Sequence, residues 1–147
     1  MVALLDVSVL VALFNGGHAD HDVAHDWFSE NGPRGWASCP MTENALLRVL
    51  GNPNQGPAFI QIHQLAEHLR RFCASTPHEF WPEDMSLRDR DRFDLAAVHG
   101  HQQITDVYLL GLAVKHGGRF VTFDQRVPLA AVMGATRASL EVIGAAE

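Results

Sequence analysis

The stretch ITDVYLLGLAVKHGGRFVTFD, residues 104–124, decides the fold of this 147-residue chain. Its first half is apolar almost all round and ends in Lys115, His116 and Gly117, which is typical of a central helix and its carboxyl end. The segment Arg119–Phe123 then predicts a short buried strand, because apolar residues fill it without leaving a polar face. A helix that leads directly into a strand is part of a parallel βαβ unit, so the stretch predicts an α/β protein.

The elements around this stretch alternate in the same way. Thr105 is predicted to cap a helix over 106–116, and Ser8 a short helix over 9–14, because such hydroxyls accept backbone N–H groups at helix starts. Further predicted elements are strands over 2–7, 35–38, 79–81 and 140–143, helices over 20–30, 40–50 and 57–74, and one or two short helices within 86–98. This alternation predicts a parallel sheet with right-handed crossovers, in one domain over 1–147.

The composition limits the kind of protein that the chain can be. Eleven basic and 17 acidic residues give a net charge of −6, so the protein as a whole does not attract polyanions. Binding to a phosphate backbone would therefore need metal ions or a local basic surface. Cys39 and Cys73 are the only cysteines, and without a C-x-x-C motif they are expected to be reduced thiols rather than a zinc or redox site.

The amino-terminal run VALLDVSVLVALF, residues 2–14, resembles neither a signal peptide nor a membrane span. It has no preceding basic region or small-residue cleavage site, and Asp6 interrupts an apolar stretch that is too short to cross a bilayer. We therefore expect a cytoplasmic protein that does not associate with membranes.

Four carboxylates stand where an apolar strand or helix ends or begins. Asp6 ends the first strand, Asp124 follows the strand over 119–123, and Glu43 and Asp106 open two helices. Strand carboxyl ends and the amino ends of the flanking helices share one edge of a parallel sheet, where ligands bind. The four acids are therefore expected to meet at one place.

Such a cluster needs a compensating charge or a proton. Two carboxylates 4 Å apart repel by roughly 4 kcal/mol at an effective dielectric near 20. Taken singly, Glu43 and Asp106 also fit a helix dipole and Asp124 fits a turn, but Asp6 is costly to bury without a partner. Hard oxygen ligands favour Mg²⁺ or Mn²⁺, so the set predicts a metal-dependent nuclease.

At these residues the chain resembles a known family. The segments LLDVSVLVAL, MTENALLRVL and ITDVYLLGLAVKHGGRFVTFD, in this order, resemble the PIN-domain nucleases and most closely the VapC toxins of toxin–antitoxin pairs. The resemblance implies a three-layer α/β/α sandwich with a mostly parallel sheet of four to five strands. It also implies Mg²⁺- or Mn²⁺-dependent cleavage of RNA, a homodimer and inhibition by a VapB-like antitoxin. Thr122 matches the hydroxyl residue of the family two places before the last acid, and Ser8 is expected to support the site.

Within this site, Asp6 and Asp106 are expected to contact the metal most directly, while Glu43 and Asp124 bind it or orient its waters. Whether one or two ions bind stays open. A receiver-like signalling module also uses a strand-end Asp and Mg²⁺, and a PIN domain that binds or processes RNA without being a toxin is a further alternative.

Other polar residues allow two interpretations each. The histidines His18, His21 and His25 have spacing compatible with zinc but are expected to be surface residues. His99 and His101 are expected to belong to a loop near the site. Three cations, Arg48, Arg126 and Lys115, are equally plausible as phosphate contacts or as ordinary helix-end charges. The aromatic residues Trp27, Phe28, Trp36 and Trp81 are expected in the core or a dimer interface.

Overall fold

A five-stranded parallel sheet forms the centre of the structure, a computed structural model that describes residues 1–144. Its order is β3-β2-β1-β4-β5, and each neighbouring pair is parallel. Strand order reverses between β1 and β4, which makes their carboxyl ends the expected ligand-binding place. The strands are β1 Ala3–Leu5, β2 Trp36–Ser38, β3 His78–Phe80, β4 Arg119–Thr122 and β5 Leu140–Val142.

Helices cover both faces of this sheet. Alternate residues of β1 point to opposite sides, with Leu5 packing beneath α1–α4 and Leu4 beneath α5. The three-layer α/β/α sandwich and the five strands are thus as predicted. The helices are α1 Val7–Phe14, α2 His21–Asn31, α3 Pro40–Leu50, α4 Ile62–Ser75 and α5 Ile104–Lys115.

The strand order also bears on the signalling alternative. Receiver-type doubly wound sheets follow the order 2-1-3-4-5, with β1 beside β3. In this chain β1 lies between β2 and β4. The receiver-like alternative is therefore wrong for this fold.

Both predicted hydroxyl caps are wrong. Helix α1 begins at Val7, and Asp6 caps it by accepting the Val7 N–H with Oδ1 at 2.8 Å. Ser8 lies within the first turn instead. Helix α5 begins at Ile104 after a 3₁₀ turn over His101–Gln103, which places Thr105 inside the helix.

The predicted helix over 57–74 begins later than expected. Residues Pro53–Ala58 form a separate 3₁₀ segment, in which Gly56 has a φ of 62°. A residue in this left-handed conformation interrupts an α-helix, and glycine adopts it without steric cost. Helix α4 therefore starts only at Ile62.

The region over 86–98 contains one 3₁₀ turn, Leu95–Ala97, in place of the predicted short helices. Asp89 contributes to this difference, because its side chain accepts the Asp91 N–H, whereas Asp94 caps the 3₁₀ turn by accepting the Ala96 N–H. The local Asp89 bond competes with helical hydrogen bonding.

The interior agrees with the expectations for aromatic and thiol residues. Trp27, Trp36 and Trp81 are buried. Cys39 is buried, Cys73 is half-buried, and both are free thiols. Within residues 1–144, no helix combines the length and apolar character needed to traverse a membrane. That one domain spans the whole chain stays a prediction.

Candidate active site at the carboxyl edge of the sheet

Three aspartates meet at the carboxyl ends of β1 and β4, where strand order reverses. Asp6 directly follows β1, Asp124 lies two residues beyond β4, and Asp106 lies in the first turn of α5. All three line one open cavity of about 610 Å³, together with Ser8 and Arg126. We call Asp6, Asp106 and Asp124 the acid cluster.

Asp6 is the most enclosed member of the acid cluster, with 6% of its surface exposed. Its Oδ2 accepts hydrogen bonds from Thr122 Oγ1 at 2.7 Å and from Ser8 Oγ at 3.2 Å, while Oδ1 accepts the Val7 N–H. Burial raises the pKa of this carboxyl, the three hydrogen bonds oppose that rise, and the charge of Asp124 adds to it. The bonds therefore fix the orientation of a group whose charge is poorly solvated.

The carboxyl of Asp106 is strongly perturbed by its surroundings in the acid cluster. Its pKa is raised to about 7, first by burial, then by the negative charges of Asp6 and Asp124 and by a side-chain hydrogen bond with Asp124. Near neutral pH the group is thus divided between its protonated and charged forms. Burial and neighbouring like charges shift a carboxyl pKa in this way, and groups perturbed like this are common at functional sites.

Thr122 connects two members of the acid cluster. It is fully buried at the end of β4, donates to Asp6 Oδ2, and accepts the Asp124 N–H at 3.0 Å. Asp124 in turn accepts the Arg126 N–H at 2.8 Å, and the Arg126 Nε lies 3.5 Å from the same oxygen. The two hydroxyl residues expected to support the site, Thr122 and Ser8, therefore both contact Asp6.

Glu43 is the predicted acid that the structure does not bring into the acid cluster. Its Oε2 accepts a hydrogen bond from Ser38 Oγ at 2.6 Å, and the same hydroxyl lies 2.8 Å from His78 Nε2. Its charge acts on the pKa values of His78 and Cys73, toward α4 and β3. Its place in a shared metal site therefore remains a prediction.

Glu83 is an acid near the site that the sequence analysis did not identify. It lies in the loop after β3, accepts the backbone N–H of Met41 in the first turn of α3, and lines a second cavity of about 670 Å³ with Asp6 and Asp106. The rule applied to the other acids would have found it, since Glu83 follows the carboxyl end of a strand.

The protein's own cations compensate the acid cluster only in part. Across the described residues, ion pairs reach Asp124 but neither Asp6 nor Asp106. The side chains of residues 1–144 contain no ready-made group of three or more His, Cys, Asp or Glu that would enclose a metal. Mg²⁺ keeps several of its waters and commonly uses one or two carboxylates, so the arrangement is compatible with it.

The remaining candidates lie apart from the acid cluster, with three exceptions. His21 Nδ1 contacts the Ala12 carbonyl at 2.7 Å, His18 Nδ1 accepts the Asp20 N–H, and His25 is exposed, so these histidines belong to the surface around α2. Lys115 pairs with Asp84. The exceptions are Arg48, which lines the second cavity, Arg126, which lines the first, and His99, which lines a small pocket together with Asp124.

Comparisons with known proteins agree with this geometry. A model of the PIN domain family matches residues 3–132. Ribonuclease VapC44 of Mycobacterium tuberculosis is 44% identical over 143 residues, which cover 97% of this chain and 100% of that protein. Ribonuclease VapC38 of the same organism is 41% identical over 126 residues, 86% of this chain and 87% of that protein.

Two solved structures share the fold. VapBC2 from Rickettsia felis, bound to a DNA fragment from its promoter, superposes with a TM-score of 0.61 at 14% identity, over 97% of this chain and 99% of that one. Mycobacterium tuberculosis VapC20, a toxin that cleaves the sarcin–ricin loop, gives 0.58 at 16% identity over 89% and 96%. At these identities the likeness concerns the fold alone.

Proposed function

This chain belongs to the PIN domain family and, within it, to the VapC ribonucleases, and we propose that it cleaves RNA at the acid cluster as the toxin of a toxin–antitoxin pair. The observation that carries the proposal is the meeting of Asp6, Asp106 and Asp124 at the point where strand order reverses. Acids gathered at a ligand-binding edge, two of them without an ion-pair partner among the described residues, favour a functional site over a structural one.

We infer that Asp6 and Asp106 hold a Mg²⁺ or Mn²⁺ ion, with Asp124 completing the site. When bound, such an ion would stabilise negative charge on the attacked phosphate and make a water molecule more acidic. Glu43 would join the site by leaving Ser38, which requires another side-chain conformation. This division of roles is supported by the raised pKa values of Asp6 and Asp106.

The chain's own residues supply orientation and access. Thr122 and Ser8 hold the Asp6 carboxylate in place, and the Arg126 N–H does the same for Asp124. The two cavities share Asp6 and Asp106 in their linings, so an RNA strand that occupies both would pass across the acid cluster. Hydrolysis then joins a water oxygen to phosphorus and breaks the bond to one ribose oxygen, which receives a proton.

The partners are part of the same proposal. The structural relative from Rickettsia felis is a VapBC complex on promoter DNA, which supports a VapB-like antitoxin as partner of this chain. We further propose a homodimer that acts in the cytoplasm, where its RNA substrate is. Co-purification with the product of a neighbouring small antitoxin gene would test the partnership, and the alternative of an RNA-processing PIN domain predicts that no such gene product binds.

The experiment on the reaction compares the wild type with Asp6→Asn on total RNA. Cleavage is expected with Mg²⁺ or Mn²⁺, none with EDTA, and none by the variant under any condition. Circular dichroism should show the same fold for both proteins. Cleavage by Asp6→Asn at the wild-type rate, or wild-type cleavage that persists in EDTA, would contradict the proposal.

A further inference from the structure

A small pocket extends the active site on the side of Arg126. It has a volume of about 100 Å³ and shares Asp124 and Arg126 with the cavity of the acid cluster. We call it the flanking pocket; the rest of its wall comes from the loop before α5, namely His99, Gly100, Gln102 and Gln103. A group bound there would lie directly beside a phosphate held at the acid cluster.

Gln103 holds the two walls of the flanking pocket together. Its Nε2 donates to the Arg126 carbonyl at 3.0 Å, and its Oε1 accepts the His99 N–H at 3.0 Å. One side chain thereby joins the loop before α5 to the loop after β4. Because the amide is engaged at both ends, the pocket is formed before any ligand arrives.

The groups that remain available in the flanking pocket suit an anion. The Arg126 side chain is 75% exposed and reaches only Asp124 among the described residues, at 3.5 Å. The His99 and Gln102 side chains are exposed donors on the opposite wall. Arginine and amide donors are the usual contacts of phosphate oxygens and ribose.

A second pocket continues from the flanking pocket away from the acid cluster. It has a volume of about 340 Å³ and shares His99 and Gly100 with the flanking pocket. Its other lining residues are Leu95, Val98, His101 and Ile104, and we call it the base pocket. Leu95 and Ile104 are 45% and 40% exposed and both line this pocket, so it offers an accessible apolar surface. Apolar and imidazole surfaces of this kind accept an unpaired nucleobase.

We propose that these two pockets form a nucleotide subsite for single-stranded RNA next to the cleaved phosphate. The phosphate and ribose of the neighbouring nucleotide contact Arg126, His99 and Gln102 in the flanking pocket. Its base lies against His101, Leu95 and Ile104 in the base pocket. The inference rests on the proposed function, because it takes the acid cluster to be the place of cleavage.

The test measures binding of a labelled pool of random-sequence single-stranded oligoribonucleotides by anisotropy, in the background of Asp106→Asn to prevent cleavage. Arg126→Gln should raise the dissociation constant about tenfold, the usual loss of one charge-assisted hydrogen bond. It should also reduce the slope of log affinity against log salt by about 0.7, because one phosphate contact to a single strand is lost. His101→Ala should weaken binding about fivefold and leave the slope unchanged, because stacking releases no counterions.

Arg137→Gln is the matched control, since it removes the same charge from an exposed residue just before β5, at the opposite edge of the sheet. It should change neither affinity nor slope. Equal effects of Arg126→Gln and Arg137→Gln, or an unchanged affinity in both Arg126→Gln and His101→Ala, would overturn the subsite. In that case wild-type cleavage of total RNA with Mn²⁺ would still support the proposed function, whereas a wild type that never cleaves RNA would refute that function itself.

Discussion

The acid cluster and a network around Arg119 both remove charges from water, but their compositions are opposite. In the network, the Arg119 Nη1 lies 2.8 Å from Glu141 Oε1 as an ion pair, and Trp27 Nε1 donates to Glu141 Oε2 at 2.6 Å. Arg119 Nη2 also donates to Asn31 Oδ1 at 3.2 Å, and its guanidinium lies over the Trp27 ring. In the acid cluster, three carboxyl groups lie together, only Asp124 has a cationic partner, and the pKa values of Asp6 and Asp106 rise.

This difference separates a stabilising network from a functional one. The Arg119 network joins α2 to β4 and β5 with charges that compensate each other, even though Arg119 Nε and Glu141 Oε1 both lack a hydrogen-bond partner among the described residues. The acid cluster has no such structural role, because opposite charges would hold the same strands and helix together better. Its like charges oppose folding, and a bound cation would reverse that effect.

The largest expected difference between the two regions is in catalysis. Asp124→Asn should lower RNA cleavage at least about a hundredfold, because even groups that only orient metal ligands commonly contribute tenfold to a hundredfold. Glu141→Gln should leave the rate within about twofold, since it acts on the free energy of unfolding instead. Initial rates on total RNA with saturating Mn²⁺ measure both. Comparable losses of cleavage rate in the two variants would contradict the distinction between a functional acid cluster and a stabilising Arg119 network.

The second difference is in stability. Glu141→Gln should lower the free energy of unfolding by about 1–3 kcal/mol, because it leaves the Arg119 guanidinium partly buried without its counter-ion. Urea unfolding measures this change. Glu67→Gln is the matched control, because its pair with Arg70 is exposed and such pairs contribute about 0–1 kcal/mol. A loss in Glu141→Gln no larger than in Glu67→Gln would show that the Arg119 network does not stabilise the fold.

The smallest expected difference is in the pH dependence of the metal-free protein. The pKa of Asp106 is about 7 in the folded state and 3.8 ordinarily, so between these values the folded protein holds a proton that the unfolded chain has released. The free energy of unfolding should therefore fall as pH rises through this window. Solvent reaches the side chain, so the contribution is on the order of 1–2 kcal/mol.

Asp106→Asn provides the comparison for this prediction. The variant should lose that part of the pH dependence and become more stable than the wild type at mildly alkaline pH without metal. Urea unfolding of both proteins across the window measures it. If the free energy of unfolding changed with pH in the same way for the wild type and Asp106→Asn, the result would contradict the repulsion between Asp106 and the other two acids.

The placement of the acids on the sheet was predictable from their positions in the chain. Asp6, Asp106 and Asp124 follow strands or open a helix, and main-chain topology alone puts such positions on one edge. The main chain of Glu43 also follows this rule, because the residue lies in the first turn of α3. Its carboxylate direction depends on Ser38 and on His78, a residue 35 positions further on, and no local pattern reveals such a contact.

Helix starts were less predictable for a related reason. Thr105 and Ser8 have the chemistry of caps, yet Asp6 occupies the capping position of α1 and a 3₁₀ turn precedes α5. Several residues near each start can serve as a cap, and tertiary packing chooses among them. The flanking pocket was not predictable from the sequence for the same reason, because the contact of Gln103 with the Arg126 carbonyl joins residues that are 23 positions apart.

Titration calorimetry of the pure protein with Mn²⁺ tests the shared cation site most directly. The wild type and Glu141→Gln should bind Mn²⁺ alike, and Asp106→Asn should bind it at least about tenfold more weakly, because a charged ligand is lost. Equal Mn²⁺ affinity in the wild type and Asp106→Asn, or no uptake by the wild type, would contradict the claim that the acid cluster holds a divalent cation.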